Sequence, residues 1–456
     1  MEVLQRTANR GSISTGYDID NSCKFESDGN EYIDRPVGGS DGSSTQHTIS
    51  CWIKRTELGI DSEPVSAAGI GRFRFESNDT FSYQFRSGKE IITNRVFRDT
   101  SAWYHIVAVA DSSQSTASNR MKLYVNGVQE TSFGTATYQD QNQAAPGWGK
   151  YSTYNFTVGA ATNATRNFNG YLAEVYYIDG QVLDPTYFGE YDDDSGIWKP
   201  KAFSGTFGSL DTYLDFSNAS DLGENSGGTT DLNENSVDSS NQATDTPTNN
   251  FCTLNQVMLT QANTVISQGA TSLFSTGASG NTVVGTMGVS RGKWYWEFKH
   301  ISAGGTAYWS AIGYTSSEST DSTQTAGGGS GYPSYVALLP NGGTYVNGSI
   351  ISGKFNTFSA NDIAGVALDM DNGDMYLYKN GTIQNSGNPI FTSIGDFAMP
   401  VGSVYLNGCG GYFNFGGFTS YTPSSAAADA NGYGTFEYAP PSGYYALCTK
   451  NLAEYG

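Results

Sequence analysis

The carboxylates are the first residues to weigh for chemistry. On a β-strand, positions i, i+2 and i+4 share one face, so three acidic residues at that spacing could divide the work of glycoside hydrolysis. Glu190-Tyr191-Asp192-Asp193-Asp194 has this spacing. Gly189 and Ser195-Gly196 flank it, with no apolar strand around it, so it reads as a turn. Asp369-Met370-Asp371 runs straight into Asn372-Gly373 and reads as turn chemistry too. Asp371-Asn372-Gly373-Asp374 hints at a calcium loop but lacks the distal Glu. Asp215, Asp221, Asn225 and Asp231 offer oxygen ligands at a spacing that matches no EF-hand, and a solvated acidic loop is the better reading. A structural calcium is the one cofactor left open. His47, His105 and His300 sit in strand-like runs without metal-ligand spacing, His105 as a packed strand residue. There is no Walker A loop and no G-x-G-x-x-G leading into a helix. No catalytic or metal-ligating set is assigned, and the expectation is a protein that is not an enzyme.

Binding is better supported. Tyr and Trp in polar loops present an apolar face and a polar edge, which suits sugar rings or protein partners. Trp148, Tyr151 and Tyr154 lie in the Gly-rich APGWGKYSTY, and Tyr308, Trp309, Tyr332 and Tyr335 lie in Gly-rich stretches further on. These seven are the candidate ligand-binding residues.

The formal net charge of −20 excludes a nucleic-acid footprint and disfavours an anionic membrane surface. No run approaches transmembrane length, and MEVLQRTANR lacks the apolar core of a secretory signal. Five scattered cysteines, an odd number without C-x-x-C spacing, argue for buried free thiols rather than a disulfide framework.

The elements that must position these residues are strands. With 56 Gly, 30 Tyr and 24 Phe and no long 3.6-residue period, the chain reads as all-β. The central stretch is IAGVALDMDNGDMYLYKNG, Ile363 to Gly381. Its first strand is apolar on both alternating faces and must be covered on both sides. Asn372-Gly373 then makes a tight hairpin, and Lys379-Asn380-Gly381 makes a second turn. Trp103 to Gly127 repeats the pattern: Asp111 matches Asp369, LYVNG matches LYKNG, and four extra residues fall at a Ser-rich tip. The expected fold is therefore two antiparallel β-sandwiches of related architecture, joined by an acidic Asn/Ser-rich connector.

Residues 1–22 are polar and Gly/Ser/Thr-rich and read as a tether or a frayed terminus. In 23–200 the order FESDGNEYID, TISCWIK, WYHIVAV…LYVNG and FNGYLAEVYYIDG resembles the laminin-G-like jelly roll of the concanavalin A-like lectin/glucanase superfamily. Residues 201–250 are the connector. From Ser217 to Asn250 they hold six acidic residues and no Lys or Arg, a composition too poor in apolar surface for a core of its own. In 251–420, GKWYWEF, AIGY, VALDMDNGDMYLYKNG, a Pro400-Val401 strand and a closing NFG resemble a SPRY domain, which implies binding through loops rather than chemistry. Residues 421–456 are Pro- and Tyr-rich and are expected to pack back onto a domain or a neighbouring subunit.

The combination of these blocks with YLDFSNASDLGEN and PSGYYALCTKNL is similar to virion-associated proteins of marine tailed phages. The resemblance implies a virion surface protein, a tail or capsid fibre, made in the host cytoplasm without a signal peptide. Its implied partners are a host surface glycan and other virion proteins, without nucleic acid or membrane insertion, with a homotrimer as the usual build of such appendages. Two alternatives accompany this reading. One is a capsid decoration or tail-assembly protein that binds other virion proteins. The other is a polysaccharide depolymerase.

Overall fold

A computed structural model describes residues 16–35, 37–67, 69–145, 147–161, 165–258, 263–277, 281–302, 310–315, 335–338, 341–346, 349–351, 353–404 and 407–456. The chain divides into two compact units, Ser14–Thr248 and Asn249–Gly456.

The first unit runs β1 (Ser22–Phe25), β2 (Tyr32–Arg35), β3 (Gln46–Arg55), β4 (Ser62–Ala67), β5 (Gly71–Phe75) and β6 (Thr80–Arg86). It continues with β7 (Lys89–Val96), β8 (Trp103–Asp111), β9 (Met121–Val125), β10 (Val128–Gln129), β11 (Phe133–Ala136) and β12 (Phe156–Val158). It closes with β13 (Gly170–Asp179), β14 (Gly189–Tyr191), β15 (Trp198–Pro200), β16 (Thr212–Leu214), β17 (Asn233–Asn235) and β18 (Gln242–Ala243). One antiparallel sheet has the order β10-β9-β8-β3-β13-β1-β18, with β16 added on β13; the other is β11-β7-β6-β5-β4-β12-β2-β17. Side-chain alternation makes the sandwich. Cys51, Ile53, Ile106, Ala108 and Leu172 from the first sheet meet Phe73, Phe75, Phe81, Tyr83 and Val158 from the second in one core. Each such large side chain contributes about 1.5–3 kcal/mol when fully buried. The other face of β8 is covered as well: Val107 and Val109 pack with Tyr176, Ile178, Leu183 and Phe188.

The stretch 201–250 corrects the sequence-based reading. It is no connector, because nearly all of it is built into the first unit, and the division falls between Thr248 and Asn249. β16 pairs with β13, β17 with β2 and β18 with β1. Phe216, Leu222, Leu232 and Val237 enter the core one at a time. Composition averages over such isolated plugs, which is why the stretch read as coreless. The oxygen donors there staple the loop. Asn225 Oδ1 accepts the amides of Tyr213, Gly227 and Gly228, Asp231 accepts that of Asn225, and Asp215 accepts that of Ser217. Among the described residues no group of three or more His, Cys, Asp and Glu side chains gathers for a metal.

The second unit runs β19 (Thr264–Ser267), β20 (Ser272–Ser275), β21 (Asn281–Val284), β22 (Lys293–Ser302), β23 (Ser310–Thr315), β24 (Tyr335–Leu338), β25 (Thr344–Val346) and β26 (Ser349–Ile351). Then come β27 (Ile363–Asp369), β28 (Asp374–Lys379), β29 (Thr382–Ile383), β30 (Phe391–Thr392), β31 (Met399–Val404), β32 (Gly410–Asn414), β33 (Tyr445–Ala446) and α1 (Thr449–Tyr455). One sheet is β19-β20-β32-β22-β27-β28-β29, with β30 on β28 and β33 parallel to β22; the other is β21-β31-β23-β24-β25-β26. KWYWEF, AIGY, VALD, DMYLYK, PVG and the residues before NFG therefore all fall on strands of this sandwich. Val366 and Leu368 face the core shared by the sheets. Ala367 faces the other way, under Phe251, Phe436, Ala446 and Cys448. The C-terminal segment is thus the outer cover of this sheet.

The repeated NG turns have matching geometry. Asn126 and Gly127 have φ 48° and 78°, and Asn380 and Gly381 have φ 48° and 74°, the two left-handed residues of a type I′ hairpin. In each, the asparagine Oδ1 accepts a strand amide at 2.8 Å, from His105 and from Ile363. Asn372-Gly373 departs from expectation. Only Gly373 is left-handed, and residues 370–373 form a four-residue loop closed by Asp369, whose Oδ1 accepts the amides of Asp371 and Asn372. The five cysteines are all buried free thiols.

Candidate functional site

Of the seven predicted aromatic residues, the structure describes Trp148, Tyr151 and Tyr154 and the backbone of Tyr335. Trp148 and Tyr151 are 0% and 1% exposed. Trp148 stacks on Tyr177 at 6.0 Å and donates its Nε1–H to the Gln84 carbonyl. Tyr151 lies under the Arg35 guanidinium at 4.1 Å. Both are core residues, so they are withdrawn as surface contacts. The flanking glycines misled because they serve close packing: a Cβ at Gly147 or Gly149 would run into the Ala67 or Ser43 carbonyl, and Gly71 of β5 makes room for the Trp148 indole. Tyr154 is half-buried. Tyr308, Trp309 and Tyr332 lie outside the described residues. The backbone of Tyr335 pairs with Thr315 in β24.

The acidic run is held as a turn at its centre. Asp192 accepts the amides of Asp194 and Ser195, and only Glu190 and Tyr191 lie on a strand, β14. His105 and Ser50 meet at 2.8 Å, a pairing that could be taken for a nucleophile and base. Trp198 excludes that role. Its Nε1–H donates to His105 Nδ1 at 2.9 Å, so the ring proton sits on Nε2 and points at Ser50 Oγ. A histidine that donates to a hydroxyl cannot take its proton. Burial between Trp52 and Trp198 holds His105 neutral, with its pKa pushed down to about 3.

Three buried glutamates titrate above their usual range because burial disfavours the charged form: Glu63, Glu174 and Glu297. Two are well supplied with donors. Glu174, left-handed at φ 51° in a bulge of β13, accepts the hydroxyls of Tyr17, Tyr176 and Tyr213. Glu297 accepts the Glu437 and Tyr438 amides and the Tyr295 and Tyr421 hydroxyls. These two act as fasteners for the outer layers.

Glu63 differs. Neither of its oxygens has a hydrogen-bond partner, although the residue is 0% exposed. It stands in a bulge of β4, where Ser62 pairs with Phe75 and Val65 with Phe73, so Glu63 and Pro64 together oppose Arg74. A Pro inside a strand marks such a bulge, and the extra residue re-aims its neighbour. The Glu63 side chain turns to the outer face, where its Oε1 lies 3.8 Å from Arg72, 4.0 Å from Arg74 and 3.6 Å from Arg166. The three guanidiniums oppose the burial, and the Glu63 pKa stands at about 7.

The same sheet face continues as a polar row. Asp34, Thr157, Ser66, Arg72, Gln84 and Glu90 are successive cross-strand neighbours over six strands. Ser82 pairs with Arg74 beside the row. Thr157 Oγ1, Ser82 Oγ and Arg72 Nε are buried and, like both Glu63 oxygens, lack hydrogen-bond partners. Buried polar atoms are normally paired, and a cluster of orphans on one face is what a polyhydroxylated ligand would satisfy. Part of this was legible: GRFRF alternates Arg with core Phe, which puts both arginines outside. Arg166 carried no local signal.

A comparison with curated proteins finds no match. Among solved structures, the SPRY domain of human HERC1 is similar at 16% identity with a TM-score of 0.28, covering 33% of this chain and 89% of that domain. Residues 27–184 match the model of a laminin-G family described as the concanavalin A-like lectin/glucanases superfamily, and the first unit carries a jelly roll of that kind.

Proposed function

We propose that this chain is a binding protein of a tailed-phage virion, and that the outer face of β12-β4-β5-β6 in its jelly roll grips a host-surface glycan. The observation that carries the reading is the row of buried polar atoms without partners around Glu63. Hydroxyl-rich rings satisfy such atoms, whereas an apolar partner would leave them unpaired. The laminin-G-like match is compatible with binding of sugars or proteins. The virion setting rests on the combination of motif blocks described above, and so does attachment as the biological use.

The test is calorimetric titration of the intact protein with host-surface polysaccharide, using wild type and the Thr157→Val and Ser82→Ala variants. Each variant is expected to weaken binding about tenfold, because each removes a hydroxyl, buried and unpaired in the free chain, that the bound ligand would pair at about 1–1.5 kcal/mol. Unchanged affinity in both variants refutes the face. Release of reducing ends from the polysaccharide would convert the reading into a depolymerase. Absence of glycan binding, with the chain found in an icosahedral capsid lattice, would convert it into a decoration protein.

A further inference from the structure

Glu63, Arg72 and Arg166 form an arrangement that sugar hydroxyls alone do not explain. The chain has only 24 Lys plus Arg and a net charge of −20. Three of its arginines nonetheless converge within 4.0 Å of one carboxylate oxygen. Their duties differ. Arg74 is matched by Glu76, which it grips with two guanidinium nitrogens at 2.6–2.9 Å, and by Asp61 at 3.9 Å. Among the described residues, Glu63 is the one carboxylate within 4.0 Å of Arg72 and Arg166. They are 24% and 38% exposed at the side chain, while Glu63 beneath them is 0% exposed. The cluster as a whole balances three guanidiniums with three carboxylates, but Glu76 and Asp61 both sit on Arg74, so the excess of guanidinium is confined to the Arg72–Arg166 side.

The backbone is bent to produce this. Arg166 has φ 50°, a left-handed conformation uncommon in a non-glycine residue. Its carbonyl accepts the Glu63 amide at 2.9 Å, while its Nη1 reaches back to the Glu63 carboxylate at 3.6 Å. Strain held in place at both ends of one residue is a mark of a positioned group. The guanidiniums approach Glu63 without hydrogen-bonding it, so their fork-like donors remain available to an incoming acceptor.

We infer that Arg72 and Arg166, propped by Glu63, form an anion subsite that takes one carboxylate or sulfate-ester substituent of an acidic saccharide. The inference rests on the glycan-binding reading of this face and narrows it to acidic glycans. Guanidinium forks bind planar or tetrahedral oxyanions bidentately, and such charge-assisted pairs are roughly twice as strong as neutral ones. Glu63 opposes the bound anion, so the site takes a single charge rather than a polyanion.

The experiment titrates the full-length protein with four probes: a sulfated galactan oligomer, the same oligomer desulfated, a hexuronate oligomer and inorganic sulfate. The sulfated or hexuronate oligomer is expected to bind about tenfold or more tighter than the desulfated one, an advantage that shrinks as salt is raised. Arg166→Ala should abolish that advantage and leave the neutral oligomer within about twofold. Arg166→Lys, which keeps the charge but loses the fork, should keep only part of it. Glu63→Gln removes the opposing charge and should tighten acidic oligomers several-fold, which a purely structural role for Glu63 would not do. Equal binding of sulfated and desulfated oligomers, or an advantage that survives Arg166→Ala, overturns the subsite and leaves the glycan reading standing. Arginine-dependent binding of inorganic sulfate without any oligomer binding keeps the subsite and overturns the glycan reading. Failure of all four probes overturns both.

Discussion

Glu297 on β22 accepts the main-chain N–H of Tyr438 at 2.9 Å, and of Glu437 beside it at 2.8 Å. One carboxylate thus ties the C-terminal segment across the outer face of the sheet, above the doubly covered strand β27. Glu297→Ala removes the acceptor of two adjacent amides, at a cost of about 1–3 kcal/mol for a group left unpaired. The expected result is faster limited proteolysis between residues 421 and 441, with the sandwich itself still folded by circular dichroism.

Lys54 and Asp245 meet at 2.6 Å with 0% and 1% side-chain exposure, and Trp103 Nε1–H donates to the other Asp245 oxygen. Removing one member of a buried pair leaves an uncompensated charge, which costs about 3–5 kcal/mol. Asp245→Ala should lower the stability of the first unit by that amount in urea denaturation. A fragment 14–248 should fold, whereas 14–200 should not.

Glu63 has a folded pKa of about 7 against 4.5 for the ordinary side chain. The folded state therefore holds a proton that the unfolded chain releases between those values. Its contribution is fully present below pH 4.5 and is lost as pH rises through about 7. Wild type minus Glu63→Gln, compared by thermal melting from pH 5 to pH 8, should show wild type losing stability relative to the variant as pH rises. A constant difference would contradict the burial of this carboxylate.

His105 should stay neutral through the physiological range, its pKa held at about 3 by burial. Nitrogen NMR should find Nδ1 bare, accepting from Trp198, and Nε2 carrying the proton. Ser50→Ala should change no ligand affinity, because the Ser50–His105 contact is internal.

The sequence alone determined the strands and their covering. Alternation at period 2 marked Phe81, Tyr83 and Phe85 as one face, and apolar residues on both faces of Val107–Val109 and Val366–Leu368 required layers on both sides. The NG pairs at Asn126 and Asn380 set their own turns, because a left-handed pair is a local property. Tertiary structure decided the rest. Trp148 and Tyr151 read as loop aromatics until packing placed Tyr177 and Arg35 against them. Residues 201–250 read as a connector until single apolar residues found gaps in a core formed some forty to two hundred positions earlier. Glu63 and Arg166 lie about a hundred positions apart. Their meeting depends on a bulge and a left-handed residue, which leave no periodic trace because periodicity reports the face a side chain takes and not its distant neighbour.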